Sequence, residues 1–227
     1  SEPMSRIAQV TAKNLAAAQA LIPAVTHHDR AEVTAIEAAR ARLKPEAQAA
    51  GARLTALAFH VKALARCLRE FPRFNASLSP DGATLVLKDY VHVGVAVDTA
   101  HGLLVPVIRD ADAKGLFAIA REIADLARRA QDRKLRAEEM GGASMTISNL
   151  GGIGGIGFTP IVNPPEVAIL GLTRTETVTV WEHGAPRPVP MVPLDLSYDH
   201  RAINGADAAR FTAHLKRLIE TPREMLI

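Results

Sequence analysis

Cysteine is almost missing from this 227-residue sequence: there is one, Cys67. A lone thiol closes no internal disulfide and supplies one ligand where a thiolate metal site needs several. Cys67 stands in the apolar helical stretch Leu64-Ala65-Arg66-Cys67-Leu68, with nothing beside it in sequence to lower its pKa. That setting predicts a buried structural thiol rather than a nucleophile. Aromatic residues are scarce as well, at 4%, so the core must be built from Ala, Val, Leu and Ile. No apolar run approaches the roughly 18 residues needed to span a bilayer, so no membrane partner is expected. Ser1-Glu2-Pro3 lacks the charged-then-apolar pattern of a secretory signal. The expectation is a cytoplasmic chain, or a piece of a longer one, with residues 1–3 as the end of a linker and 4–227 as one domain. Neither sign of charge dominates: 27 basic and 24 acidic residues leave a net charge of +3. Arg128-Arg129 and Arg133-Lys134 alternate with acids like solvated helix faces. No basic stripe carries interleaved aromatics, which argues against nucleic-acid binding. Metal-ligand spacing is lacking too, because the adjacent pair His27-His28 shares neither a strand face nor a helical i, i+4 face.

What is present is a chain of alternating periods. Helical spacing runs from Ser5 to about Leu21, from Glu32 to Leu43, from Arg53 to Glu70, from Gly115 to about Arg129, and from about Ala206 to Ile219. Strand signals cover Ala24–Val33, Thr84–Val97, Gly102–Ile108, Met145–Ser148, Val167–Leu170, Thr177–Trp181 and Met191–Leu196, with Asp81-Gly82 as a hairpin turn. The strand-to-strand links in the second half are too short to hold crossover helices. That predicts helices packed on a mostly antiparallel or mixed sheet, an α/β fold of layered α+β type.

Two motifs carry chemical weight in opposite directions. Gly152-Ile153-Gly154-Gly155-Ile156-Gly157 satisfies Gly-x-Gly-x-x-Gly, yet a dinucleotide site needs a helix to start at once. Here Phe158-Thr159-Pro160-Ile161-Val162-Asn163-Pro164-Pro165 follows, and three prolines in that run forbid the helix. The second motif is Asp199-His200-Arg201-Ala202-Ile203-Asn204-Gly205. It sits where the strand Leu194–Tyr198 ends and the chain turns into the last helix, a junction that holds side chains on rigid elements. An imidazole there can accept and return a proton near neutral pH, so His200 is the candidate general base.

Asp199-His200-Arg201-x-x-Asn204-Gly205 resembles the terminal motif of the dihydrolipoyl acyltransferase core domains of 2-oxo acid dehydrogenase complexes. The same fold and histidine occur in chloramphenicol acetyltransferase. Further segments are similar to the family in the same order: Ile22-Pro23-x-Val25-Thr26 with Glu32-Val33-Thr34, Val93–Thr99 with Gly102–Asp110, Thr146–Gly151, and Pro160–Gly171. The resemblance covers nearly the whole chain.

The resemblance implies a chloramphenicol acetyltransferase-like trimer. In it His200 deprotonates a thiol that attacks a thioester, and Ser148 donates a hydrogen bond to the oxyanion from a different subunit. Asn204 is the third implied catalytic residue. Many family members carry Asp there and some pyruvate-type members Asn, so a salt bridge to an N-terminal arginine, for which Arg6 is the candidate, becomes a neutral hydrogen bond. Asp199 and Arg201 are expected to fix the loop by ion pairing. The implied reaction passes an acetyl group from S-acetyldihydrolipoamide to coenzyme A, with the lipoyl group on a separate lipoyl domain. The implied partners are dehydrogenase subunits and further trimers in a cubic cage; the apolar tail Met225-Leu226-Ile227 either docks into a neighbouring trimer to build it or packs on its own subunit. Which residues bind coenzyme A stays open. Succinyl or branched-chain groups, a catalytically silent scaffold and a stand-alone antibiotic-modifying acetyltransferase are the competing readings. The intact histidine and serine speak against the scaffold, and the linker-like start against the stand-alone enzyme.

Overall fold

The structure, a computed structural model, describes residues 1–225. Met225 is buried in the chain's own core. Leu226 and Ile227, the rest of the expected docking tail, lie outside the described residues. The chain opens with α1 (Arg6–Leu21), whose first turn is capped by Ser5: its hydroxyl accepts the Ala8 N–H at 3.2 Å. Then come β1 (Ala24–Glu32), α2 (Thr34–Ala49) and α3 (Ala56–Glu70). Short strands follow: β2 (Ala76–Leu78), β3 (Leu85–Leu87), β4 (Val93–Val95), β5 (Val97–Thr99), β6 (Gly102–Leu104) and β7 (Val107–Ile108). The chain ends with α4 (Leu116–Gln131), β8 (Met145–Asn149), β9 (Ala168–Leu172), β10 (Glu176–Glu182), β11 (Ala185–Asp199) and α5 (Gly205–Glu220). Among the described residues no helix is long and apolar enough to cross a membrane.

The main sheet has the order β1-β11-β9-β8-β4-β7, with β10 on the first half of β11. It is mixed: β4–β8 and β8–β9 run parallel, the other pairs antiparallel. One face is apolar and takes α5 on β1 and β11, α3 on β4 and α4 on β7. Five of the six phenylalanines lie in this core or pack against it, and three of them cluster: Phe74 stacks on Phe211 at 4.1 Å between ring centres and Phe71 meets Phe211 edge-on. Cys67 lies in this core, and burial pushes its thiol far up, so it is inert as expected.

The expected mixed sheet is present and two element bounds need correction. The link between β8 and β9, residues 150–167, carries no helix, as expected, although it joins parallel strands. Its length exceeds the dozen or so residues a crossover requires, so a plain loop serves. Helix α2 continues past Leu43 and contains Pro45. Pro45 cannot donate to the carbonyl of Ala41, and Ala41 is an exposed residue of the helix. The predicted strand at Met191–Leu196 is the middle of a 15-residue strand crossed by four prolines. From Ala185 to Met191 β11 pairs with β10, and β1 joins its other edge from Met191 onward. Pro186, Pro188 and Pro190 fall on alternate positions, so their missing N–H groups all face the other edge, where the Pro190 carbonyl accepts the Val33 N–H. Pro193 falls between the stretches paired with β10 and with β9.

Candidate active site

The face of the sheet opposite α3, α4 and α5 carries a set of polar side chains. Along β8, Met145 and Ile147 enter the core, and the period of two turns Thr146 and Ser148 to the opposite side. Ser148 opposes Gly171 on β9, Gly171 opposes Asp195 on β11, and Asp195 opposes His28 on β1. These four residues form one row across the sheet. The next row is Gly94, Thr146, Ile169, Ser197 and Thr26. Gly94 leaves room for its neighbour: a Cβ there would lie 2.5 Å from the Thr146 hydroxyl.

Over this face lies a cavity of about 500 Å³, lined by Ser148, Thr146, Ile169, Phe158, Glu166 and, from α1, Leu15 among others. Its surface is mostly apolar, with the Ser148 hydroxyl in its wall. The second half of the crossover 150–167, from Phe158 to Glu166, contributes a large part of the cavity lining. The segment Gly152–Gly157 lies within the crossover, with Gly154 and Gly155 at positive φ, and no helix follows. The dinucleotide fingerprint is therefore only a pattern, and its glycines serve a tight loop. Glu166 accepts the Thr146 hydroxyl at 2.9 Å. Burial pushes its carboxyl up to about 7, against the lowering effect of that bond and of nearby Lys88.

His200 follows the last residue of β11, and its backbone N–H donates to the Pro23 carbonyl at 3.1 Å. The ring is exposed, 5.7 Å from the Tyr198 ring, and does not line the Ser148 cavity. One chain thus does not bring His200 and Ser148 together. Asp199 is buried and its carboxylate accepts the backbone N–H, Nε and Nη2 of Arg201, the structural pairing expected of both. Asn204 caps α5, its Oδ1 accepting the Asp207 N–H at 2.9 Å. Arg6 lies in the first turn of α1, and among the described residues no hydrogen bond joins it to Asn204.

Sequence reasoning did not single out Thr146, Glu166 or the pair His28–Asp195. Thr146 was within reach, two residues from Ser148 on a strand. His28 was weighed only as a metal ligand; in the fold its Nδ1 lies 2.6 Å from Asp195 Oδ1, a contact made through strand pairing across the chain.

A family model, the 2-oxoacid dehydrogenases acyltransferase (catalytic domain), matches residues 1–227. The chain belongs to this acyltransferase family. It is 52% identical over 224 residues, 99% of its length, to the dihydrolipoyllysine-residue acetyltransferase component of the pyruvate dehydrogenase complex of Pseudomonas aeruginosa. The component of that name from Azotobacter vinelandii is 51% identical over 225 residues. The chain spans 41% and 35% of the length of these two relatives. A solved Azotobacter vinelandii dihydrolipoamide acetyltransferase superposes with a TM-score of 0.98 at 50% identity, covering 100% of this chain and 93% of that one. That structure addressed the role of a serine, a histidine and an asparagine in its catalytic mechanism. The cubic core of a pyruvate dehydrogenase complex superposes equally well, also at 50% identity. Chloramphenicol acetyltransferase, 17% identical with a TM-score of 0.56 over 95% of this chain and 94% of that one, shares the fold. This acyltransferase family is the one that the sequence motifs resemble.

Proposed function

We propose that this chain passes an acetyl group from S-acetyldihydrolipoamide to coenzyme A, as the core of a pyruvate dehydrogenase complex. One observation carries the reading: the candidate oxyanion donor and the candidate base lie on separate surfaces of one chain. Ser148 lies within a largely apolar cavity and His200 stands on an exposed turn outside it. A homotrimer in which the His200 of one protomer meets the Ser148 cavity of the next completes the site. The serine, histidine and asparagine studied in the Azotobacter vinelandii enzyme are spaced along its chain as Ser148, His200 and Asn204 are along this one. The solved cubic core supports a larger assembly of trimers. Its further partners in this reading are a lipoyl domain, which presents the acyl group, and dehydrogenase subunits, which load it.

In the reaction so assigned, His200 takes the proton of the coenzyme A thiol, because a free thiol is mostly protonated at neutral pH and the thiolate is the nucleophile. The thiolate attacks the thioester carbonyl, and the carbonyl oxygen becomes an oxyanion that accepts the Ser148 hydroxyl proton in a hydrogen bond. Collapse breaks the bond to the dihydrolipoyl sulfur, which leaves with the proton held by His200. Asn204 acts through position: its cap fixes the start of α5, four residues beyond the base.

The test is transfer between coenzyme A and acetyl, succinyl and isobutyryl donors on dihydrolipoamide, with size measured alongside. Acetyl should be preferred. His200→Ala should abolish transfer and leave the assembly intact. Near-normal turnover in that variant would remove His200 from the mechanism.

A further inference from the structure

Phe158 occupies a seat built by three strands. Its ring lies over Gly171, where a Cβ would come within 2.8 Å of two ring atoms. Gly171 stands between Ser148 and Asp195 in the cross-strand row, so the ring covers the sheet beside the Ser148 hydroxyl. The Phe158 N–H donates to Asp195 Oδ2 at 3.0 Å. The other carboxylate oxygen, Oδ1, lies 2.6 Å from His28 Nδ1. Asp195 is 2% exposed, while the His28 side chain is more than half exposed. Gly157 passes so close that its Cβ would lie 3.4 Å from the same carboxylate. The segment leading to Phe158 has five glycines between 151 and 157 and no helix or strand of its own, so nothing intrinsic holds the ring. Nothing in the transfer reaction calls for Asp195 or His28, yet a buried carboxylate without partners is costly, and both of its oxygens are engaged here.

We propose that Asp195, braced by His28, is a positioning residue that fixes Phe158 as a rigid wall of the Ser148 cavity and so limits the size of the acyl group the cavity admits. The proposal rests on the reading of that cavity as the acyl-transfer site. Asp195 acts through the Phe158 backbone and His28 acts through Asp195. Neither needs to touch the substrate.

Two readouts on the full chain test it: amide hydrogen exchange across 151–163, and the ratio of kcat/KM for acetyl over butyryl donors. In Asp195→Ala the Phe158 amide should exchange about tenfold faster or more, as befits the loss of a hydrogen bond to a charged acceptor. The acetyl preference should fall by a similar factor. Asp195→Asn, which keeps an acceptor oxygen for the Phe158 N–H, should restore most of both. His28→Ala, at an exposed ring, should move both in the same direction by less. Unchanged exchange in Asp195→Ala would overturn the clamp, and faster exchange with an unchanged acyl ratio would overturn the size limit. A native chain that transfers no acyl group at all would remove the transfer reading and the size limit with it, while exchange still decides the clamp.

Discussion

A hydroxyl and a carboxyl share the Ser148 cavity, and their energetics differ in kind. Ser148 is asked to stabilise a charge that exists only in the transition state. Ser148→Ala should therefore lower kcat by about 10²- to 10³-fold with little change in KM. A shift in KM alone would make it a binding residue. Glu166 is strained by its surroundings at rest: burial lifts its carboxyl from the ordinary 4.5 to about 7. Between those values the folded chain holds a proton that the unfolded chain has released, so this group costs progressively more stability as pH rises through the window. Below about 4.5 the cost is nil, and above 7 it is complete. Glu166→Gln keeps an acceptor for the Thr146 hydroxyl and removes the charge. It should gain stability over the native chain on the order of 3 kcal/mol more at pH 8 than at pH 5, read from unfolding curves at the two values. Equal gains at both would show that the carboxyl is not held protonated.

At the scale of elements, Asn204 joins the site to a helix. Its side chain caps α5 immediately after the turn that bears His200. Asn204→Ala should cost about 1 kcal/mol of stability through the lost cap and lower kcat more than it raises KM. Asn204→Asp keeps the acceptor and should recover both. Equal turnover in the Ala and Asp variants would leave Asn204 as a cap alone. The elements themselves were largely legible. Helices α1, α3, α4 and α5 follow their apolar spacing, and β8 its alternation, to within a few residues. What stayed hidden has one physical root: proline and loop length act through the ladder and the solvent, which sequence does not display. The strand signal at Met191–Leu196 gave no sign that β11 extends back through Pro186, Pro188 and Pro190, whose missing N–H groups point away from the ladder with β10. The link 150–167 holds no crossover helix, as expected, but which strands of the mixed sheet it would join in parallel was not legible. The row His28–Asp195–Gly171–Ser148 draws on four strands spread over most of the chain, so no local pattern could reveal it.

At the scale of the whole molecule, the separation of Ser148 and His200 makes a prediction that no single-chain enzyme would share. If each site takes its histidine from one protomer and its serine from the neighbour, each homogeneous variant is impaired at every site. His200→Ala lacks the base throughout and Ser148→Ala lacks the oxyanion donor throughout. Chains of the two kinds, unfolded together in equal amounts and refolded, should assemble at random. A site is then intact when a Ser148→Ala protomer supplies the histidine and a His200→Ala protomer supplies the serine. With random mixing in a closed ring of like interfaces that happens at about a quarter of the sites, so about a quarter of native activity should return. Mixing the folded variants without unfolding should restore nothing if protomers do not exchange, which separates assembly from contamination by native chain. Were both residues to act within one protomer, every site would still carry a defect after mixing, and activity would stay at the average of the two variants. The same experiment bears on the cavity: Leu15 brings α1 to its lining, and exposed apolar residues of that helix, Ile7 and Val10, are available for a neighbour to cover. Replacing both with Ser should weaken the ring and lower the recovered activity together, because the loss of about 1 to 2 kcal/mol of burial at each interface acts on assembly before it acts on chemistry.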